Sequence, residues 1–380
     1  MKSKSIVCFA NDWHNDPTSK HQVMKILAIE NKILWINSVG LRTPAFNKSD
    51  MARILQKTKG LFKGIEKVNN NLYVMSPLVI PFHKYNVIKK INNYILAQQI
   101  KYYLNKLRMK DVQIWTFMPT MLDMVAKLKY TKMIYYCVDD WSKFSFVDRR
   151  LVTQMETDLV KKVDIVIASA KELYEQKRRH NSNTHLVHHG VDYKHFSKSM
   201  RDDCLVPADV KDIKKPIIGF FGLIHEWIDL SLIKGIAESR PEWAIVMIGK
   251  VSIDVTDLSE LPNVHFLGQK DYKDLPGYCK AFDVAVIPFK INELTMSVNP
   301  IKLREYMAAG LPVLSTALPE VMKYRDMVNI CDSIDNAVVK IESILSSENT
   351  EKRIHRSKKM AEETWENKVI DILKILEVEE

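Results

Sequence analysis

The stretch Ser297–Thr316, SVNPIKLREYMAAGLPVLST, reads as a helix set between two buried strands. Asn299 is a favourable N-cap, Pro300 suits the first helical position because its missing N–H has no intrahelical partner there, and Gly310 marks the C-terminal stop. An apolar run, AVIPF, precedes the helix and PVLST follows it. A helix so placed opens at the carboxyl edge of a parallel sheet, where its free N–H groups and dipole favour an anion such as a diphosphate. Lys302 and Glu305 share one helix face. A lysine there neutralises phosphate, and a carboxylate one turn on accepts hydrogen bonds from two neighbouring ribose hydroxyls. The plain alternative is a solvated Lys–Glu pair worth about 0.3 kcal/mol.

Outward from this unit the chain alternates between strands and helices. Runs rich in β-branched and aromatic residues predict strands at Ser5–Ala10, Ile33–Asn37, Leu72–Met75, Val112–Thr116, Lys132–Val138 and Asp164–Ala168. Helical spacing falls near Lys20–Ile29, Val87–Leu107, Met121–Leu128 and Leu151–Lys162. The second half repeats the strands at Pro216–Phe221, Trp243–Ile248, Asn263–Leu267, Val284–Pro288, Pro312–Ser315 and Met327–Cys331. This is the pattern of an α/β protein whose parallel sheets are covered on both faces. The charged, irregular stretch Ser197–Lys215 is the natural linker between a domain at 1–197 and a second at 198–363. Two doubly wound domains facing a central cleft would place ligand sites at the carboxyl ends of their strands.

A chain of 380 residues with 46% hydrophobic content exceeds one compact core and is too apolar for disorder. The formal charge of +10 is uneven: residues 1–197 carry 32 basic against 16 acidic side chains, and the remainder carries 24 against 30. Lys84–Lys110 holds seven basic residues and no acid, with apolar Val87, Ile91, Ile95, Ile100, Leu104 and Leu107 at near-helical spacing. Such a helix either lies on an anionic leaflet or covers a core with a solvated basic face. Arg53, Lys57, Lys59, Lys63 and Lys67, opposed by Glu66, form a second basic stretch. No helix-turn-helix, zinc-knuckle or RNP-like motif accompanies the charge, so nucleic acid is not the expected partner. No apolar run approaches the roughly 18 residues of a spanning helix, and the start MKSKSIVCFANDWHND does not read as a secretory signal. The expected location is the cytoplasm, peripheral to the inner face of the cell membrane. Five scattered cysteines without a CxxC pair are expected to be reduced, mostly buried thiols.

In the first half, Asp139 and Asp140 directly follow the strand KMIYYCV. One carboxylate is placed to project from the sheet edge while the other turns toward the loop or caps the helix beginning near Trp141; the plain alternative is that both only cap that helix. Adjacent carboxylates alone are a weak metal signal, and no metal is expected. The loop NDWHNDPTSKHQ gathers Asp12, Trp13, His14, Asp16, Ser19, Lys20 and His21 after the first strand. Thr18 or Ser19 is a candidate helix cap, and His14 a candidate contact for acceptor or donor.

The segment NPIKLREYMAAGLPVLST resembles the nucleotide-sugar donor helix of GT-B glycosyltransferases of the group 1 (family 4) type. IIGFFGLIHEWIDLSLI is similar to the glycine turn opening their donor domain, and HHGVDYKHF to the signature before their interdomain linker. TWENKVIDILKIL resembles the terminal helix, here 364–380, that crosses back to the first domain. YYCVDDWSKF is similar to a segment of the branch serving teichuronic-acid and exopolysaccharide biosynthesis. The resemblance implies transfer of a sugar from a nucleotide sugar, with UDP the default, to a hydroxyl of a lipid-linked or cell-surface glycan. It implies no required cofactor beyond that donor. Donor contacts then fall on Gly222, His225, Asn299, Lys302 and Glu305, with Lys250 a weaker candidate, and chemistry on Asp139, Asp140 and His14. His188 takes a structural place near the hinge, and His189 is a second candidate for the site.

Two departures stand out. The family's paired glutamates would fall on Ser297 and Glu305, so the first is missing, and the basic residues usual after the glycine turn are replaced by Leu223, Ile224, His225, Glu226 and Trp227. Lys302 is the best substitute for them. The other classes open to this sequence are a GT-B nucleotide-sugar epimerase and an inactive sugar-nucleotide or glycan-binding protein.

Overall fold

A computed structural model describes residues 4–15, 17–38, 64–78 and 86–378. Asp16, Arg53, Lys57, Lys59, Lys63 and Lys84 lie outside them. The first sheet comprises β1 (Ser5–Phe9), β2 (Lys32–Ile36), β3 (Ile65–Lys67), β4 (Leu72–Met75), β5 (Val112–Thr116), β6 (Lys132–Cys137), β7 (Ile165–Ala168) and β8 (Thr184–Leu186), in the order β3-β4-β2-β1-β5-β6-β7-β8. Only β3 runs antiparallel to its neighbour among the described residues. The second sheet comprises β9 (Ile217–Phe221), β10 (Ala244–Ile248), β11 (Val264–Gly268), β12 (Val284–Ile287), β13 (Val313–Thr316) and β14 (Asn329–Cys331), all parallel, in the order β11-β10-β9-β12-β13-β14.

Each strand expected from the sequence is present, its ends within two residues. The central strands are buried along their whole length, as strands covered on both faces must be. The two unexpected strands sit at sheet edges, where pairing needs no apolar run: β3 is Ile-Glu-Lys and β8 Thr-His-Leu.

Helices cover both sheets. The ones that matter below are α1 (Ser19–Leu27), α2 (Asn86–Lys106), α3 (Arg149–Lys162), α4 (Lys171–Lys177), α5 (Ile301–Ala308) and α6 (Trp365–Val378). Thr18 caps α1 in a capping box with His21, whose Nδ1 accepts from the Thr18 amide at 3.1 Å. Helix α2 divides the stripe read from spacing. Ile100 is buried with Asn92, Leu96 and Ala97, and Leu104 and Leu107 pack against the core, while Val87 (68% exposed) and Ile91 (42%) point outward with Tyr94 and Tyr102. No helix among the described residues is long and apolar enough to cross a membrane. All five cysteines are free, four of them buried.

The chain divides into two units between Val187 and His188, and Ile372–Glu380 returns to the first. The change of composition near Ser197 is therefore not the packing boundary. Residues 188–197 belong with the second sheet: the Val191 amide donates to Glu363 O at 2.8 Å, and Phe196 stacks on Phe221 with centroids 6.0 Å apart. Helix α6 starts in the second unit and ends in the first, where Lys132 Nζ donates to Leu376 O at 3.4 Å.

In the first unit one buried polar cluster ties β6 to the helices behind it. Glu156 of α3 accepts from the Tyr135 hydroxyl at 2.6 Å and from Lys177 Nζ of α4 at 2.8 Å, and Cys137 Sγ lies 3.6 Å from the same carboxylate. Glu156 and Lys177 are 4% and 6% exposed. Truncating Glu156 to Ala would leave a buried ammonium without its counter-charge, so urea unfolding of that variant is expected to show a loss of about 3 kcal/mol or more in the first unit. A loss below about 1 kcal/mol would mean that water already reaches Lys177.

Candidate functional site

The carboxyl edge of the second sheet is built on two strand ends in close approach. The Gly222 amide donates to Ile248 O at 2.8 Å, and the Gly249 amide to Gly268 O at 2.9 Å. Gly222 and Gly249 have φ of +141° and +140°, and a methyl placed on Gly249 would lie 1.9 Å from Gly222 O. Both positions need glycine for conformation, and Gly249 also for space.

Lys302, in the first turn of α5, reaches across this floor. Its Cε would stand 2.0 Å from a Cβ at Gly222, and its ammonium lies 5.8 Å from the centre of the Phe220 ring. One turn on, burial raises the Glu305 carboxyl to a pKa of about 7; the Lys302 charge works against that shift and the Asp192 charge adds to it. Asp192 is itself held as the cap of Tyr193–Phe196, accepting from the His195 amide at 3.0 Å. Helix spacing had put Lys302 and Glu305 on one face, and the resemblance had added Gly222; the Lys302 side chain lies against that glycine.

Asn299 does not take the place expected of it. Pro300 is the N-cap residue and the helix starts at Ile301, so the Asn299 side chain does not cap α5. Arg304, 1% exposed, draws it away: Nη1 donates to Asn299 Oδ1 at 2.7 Å, and Asn299 Nδ2 lies 3.3 Å from His188 Nδ1. His188 Nδ1 is also 3.5 Å from the buried Glu320, which accepts from Lys323 Nζ at 2.6 Å. This network fixes the chain leading into α5. Sequence reading missed Arg304 and Glu320, because an isolated charge carries no mark of burial. The helix end is as expected: Gly310 has φ +77°, its amide donates to Met307 O, and the Leu311 amide donates to Tyr306 O, closing a Schellman turn. His225 follows the glycine turn with its ring stacked on Trp227 at 4.5 Å and its Nδ1 buried without a partner. Lys250 is exposed and His189 is packed on Trp365.

In the first unit the two adjacent carboxylates have separate surroundings. Asp140 caps the turn Trp141–Lys143, accepting from the Ser142 amide at 3.3 Å and its hydroxyl at 2.7 Å. For Asp139, burial raises the carboxyl pKa, the buried Lys20 of α1 lowers it and Asp140 raises it. His14 is exposed, and its Nε2 lies 2.9 Å from Glu66 Oε2 on β3. Its ring partner is this edge-strand glutamate, not Asp139 or Asp140. Among the described residues no group of three His, Cys, Asp or Glu is arranged to hold a metal ion.

Two units in series, each built on a largely parallel sheet covered by helices, have the GT-B fold. Residues 215–346, within the second unit, match the glycosyl transferases group 1 family. The chain is 27% identical over 227 residues to TuaH of Bacillus subtilis (strain 168), a glycosyltransferase assigned to teichuronic acid biosynthesis. That match spans 55% of this chain and 56% of TuaH, about half the length of each. Among solved structures, sucrose-phosphate synthase from Thermosynechococcus elongatus superposes with a TM-score of 0.72 at 14% identity, covering 98% of both chains. Anabaena HepE in complex with UDP and glucose gives 0.66 at 13% identity, covering 99% of this chain and 100% of that one.

The two glycines separate by experiment. In Gly222→Ala the crowded atoms are the mobile end of Lys302, so thermal unfolding should show only the backbone penalty of about 1–2 kcal/mol. In Gly249→Ala the obstacle is a carbonyl that cannot move aside, and a loss above about 3 kcal/mol is expected. Equal losses would mean that the strand ends separate readily.

Proposed function

We propose that the protein is a glycosyltransferase that moves a sugar from a UDP-sugar to a hydroxyl of a lipid-linked or cell-surface glycan, without a metal, at the inner face of the cell membrane. The observation that carries this reading is the juxtaposition of Gly222, Lys302 and Glu305 at the carboxyl edge of a group 1 glycosyltransferase domain. The glycine turn gives a diphosphate room against the backbone, and the Lys302 ammonium with the N-terminus of α5 neutralises it. His225 offers the same phosphate a ring nitrogen. Glu305 accepts from the two ribose hydroxyls, and Asn299, held between Arg304 and His188, sets the approach of α5. HepE has been solved with UDP and glucose bound, and TuaH is named for teichuronic acid biosynthesis.

On the acceptor side Asp140 is occupied as a cap, which leaves Asp139 as the base. Where transfer inverts the anomeric carbon, Asp139 takes the hydroxyl proton as the acceptor oxygen bonds to that carbon, and the departing C–O pair leaves on the UDP phosphate. His14, open to solvent beside Glu66, contributes to acceptor binding.

A carboxylate that titrates near 7 and must be ionised to accept ribose hydroxyls links binding to protons. UDP binding should therefore release a proton and tighten as pH rises from about 6 to 8, as read by calorimetry in two buffers of different ionisation enthalpy. Glu305→Gln should abolish both the pH dependence and the proton release, whereas Asp139→Asn should bind UDP normally and lose nucleotide release by about a hundredfold or more. Turnover unaffected by chelator is expected, and chelator-sensitive turnover would remove the metal-free reading.

Helix α2 supports the membrane reading. Val87, Ile91, Tyr94 and Tyr102 are exposed along one side, flanked by Lys90, Lys101 and Lys106. Flotation with anionic vesicles should fall as salt rises from about 0.1 to 0.5 M, because the screening length shrinks below about 5 Å. Ile91→Glu with Tyr94→Glu should lower it further. Flotation that ignores both changes would place membrane contact elsewhere.

A further inference from the structure

The first sheet reverses its winding at β1: β2 pairs on one side of it, β5 on the other, and the sheet continues outward from β5 as β6 and β7. The crevice at the carboxyl ends of such a strand pair is where open parallel sheets take ligands. Two side chains carried by the loops of this edge meet. Lys20 stands in the second position of α1, which follows β1, and Trp141 opens the turn that follows β6; the ammonium lies 5.4 Å from the centre of the indole ring. Both segments are held in place, α1 by the capping box of Thr18 and His21 and the turn by Asp140, which accepts from the Ser142 hydroxyl at 2.7 Å.

Lys20 and Lys177 are buried to the same degree, 7% and 6% exposed. Lys177 has the Glu156 carboxylate at 2.8 Å. Lys20 makes no hydrogen bond and no ion pair among the described residues. A ring face offers its three N–H donors no lone pair. Side chains of a first helical turn lean toward the helix N-terminus, where the dipole disfavours a cation and the leading amides, here Ser19 and Lys20, have no intrahelical acceptor. Burial pushes the pKa of this lysine down, against the charges of Asp139 and Cys8. Ammonium, open amides and dipole share one complement, an oxyanion.

We infer that Lys20 and the first turn of α1, walled by Trp141, form a subsite for an oxyanion carried by the glycan acceptor, a phosphate or a carboxylate. The inference rests on the reading of the first unit as the acceptor side. The donor diphosphate has Lys302 and the start of α5 in the second unit, so a second cation at the edge of the first matches a charge on the other substrate.

Indole NMR of the full chain reads the subsite, with the Trp141 signal assigned from Trp141→Phe. Inorganic phosphate and glucuronate, added without nucleotide, should each move that signal along a saturating curve, and the tighter of the two tells whether a lipid phosphate or a uronic acid is the source. Lys20→Met should weaken both by about tenfold or more. A measurement on the wild type does not depend on that variant folding: saturating UDP should leave the phosphate curve unchanged. If neither anion moves the signal, water suffices for Lys20 and the inference falls. It falls equally if Lys20→Met binds as the wild type does, or if UDP displaces phosphate, which would give the subsite to the donor. If both anions bind through Lys20 but the chain moves no sugar from any UDP-sugar, the subsite stands and the glycosyltransferase reading falls.

Discussion

The approach of Gly222 and Gly249 at the carboxyl edge of the second sheet is the constraint on which the rest of that edge is organised. With no side chain at either position, β9 and β10 run into turns that almost touch, and the space above them is lined by backbone instead of side chains. Lys302 occupies the space that a side chain at Gly222 would need, so the position of the ammonium is set by what is missing from the turn. Helix α5 is fixed at both ends, by Arg304 holding Asn299 before its start and by the Schellman turn at Gly310. A lysine and a carboxylate on such a helix are carried by the rigid part of the fold, which favours ordered electrostatics over mobile recognition.

Both units bury charge close to the ends of their strands. Burial of an ion pair seldom stabilises a protein against an apolar replacement, so these groups are poorly explained by stability alone. Glu156 and Lys177 join β6 to two helices directly below the Asp139–Asp140 turn. Arg304, Glu320 and His188 join the first residues of the second unit to the chain leading into α5. Each network has several partners at fixed distances, and each fixes a segment that the sheet alone would leave to turn conformation.

Much of this was legible in the sequence, for physical reasons that also set its limits. Strands covered on both faces appear as unbroken apolar runs, so the central strands and their parallel order were readable, whereas β3 and β8 pair at edges without such runs. Lys302 and Glu305 were readable because helix spacing puts them on one face, whereas the glycine turn came from the resemblance. Asn299 was assigned as a cap by its type, yet Arg304 five residues on competes for the same oxygen, and no local rule encodes that competition. Spacing alone could not tell which apolar residues of α2 face the core, because they lie on both sides. Ser19, Lys20 and His21 belonged to a polar loop cluster whose burial no local rule encodes.

The serine at position 297 acquires a physical explanation from the same packing. Ser297 ends the short turn Thr295–Ser297 and is 2% exposed, and Thr295 beside it is fully enclosed, accepting from the Asn292 amide at 3.0 Å. A glutamate at 297 would need room for three further heavy atoms and a hydrogen-bond partner for each oxygen, in a recess that is closed. It would also add a negative charge to a site where burial and Asp192 already oppose the ionisation of Glu305. The departure from the paired-glutamate pattern is therefore consistent with the rest of the site. With one carboxylate instead of two, Glu305 needs only the nearby Lys302 to remain partly ionised near neutral pH.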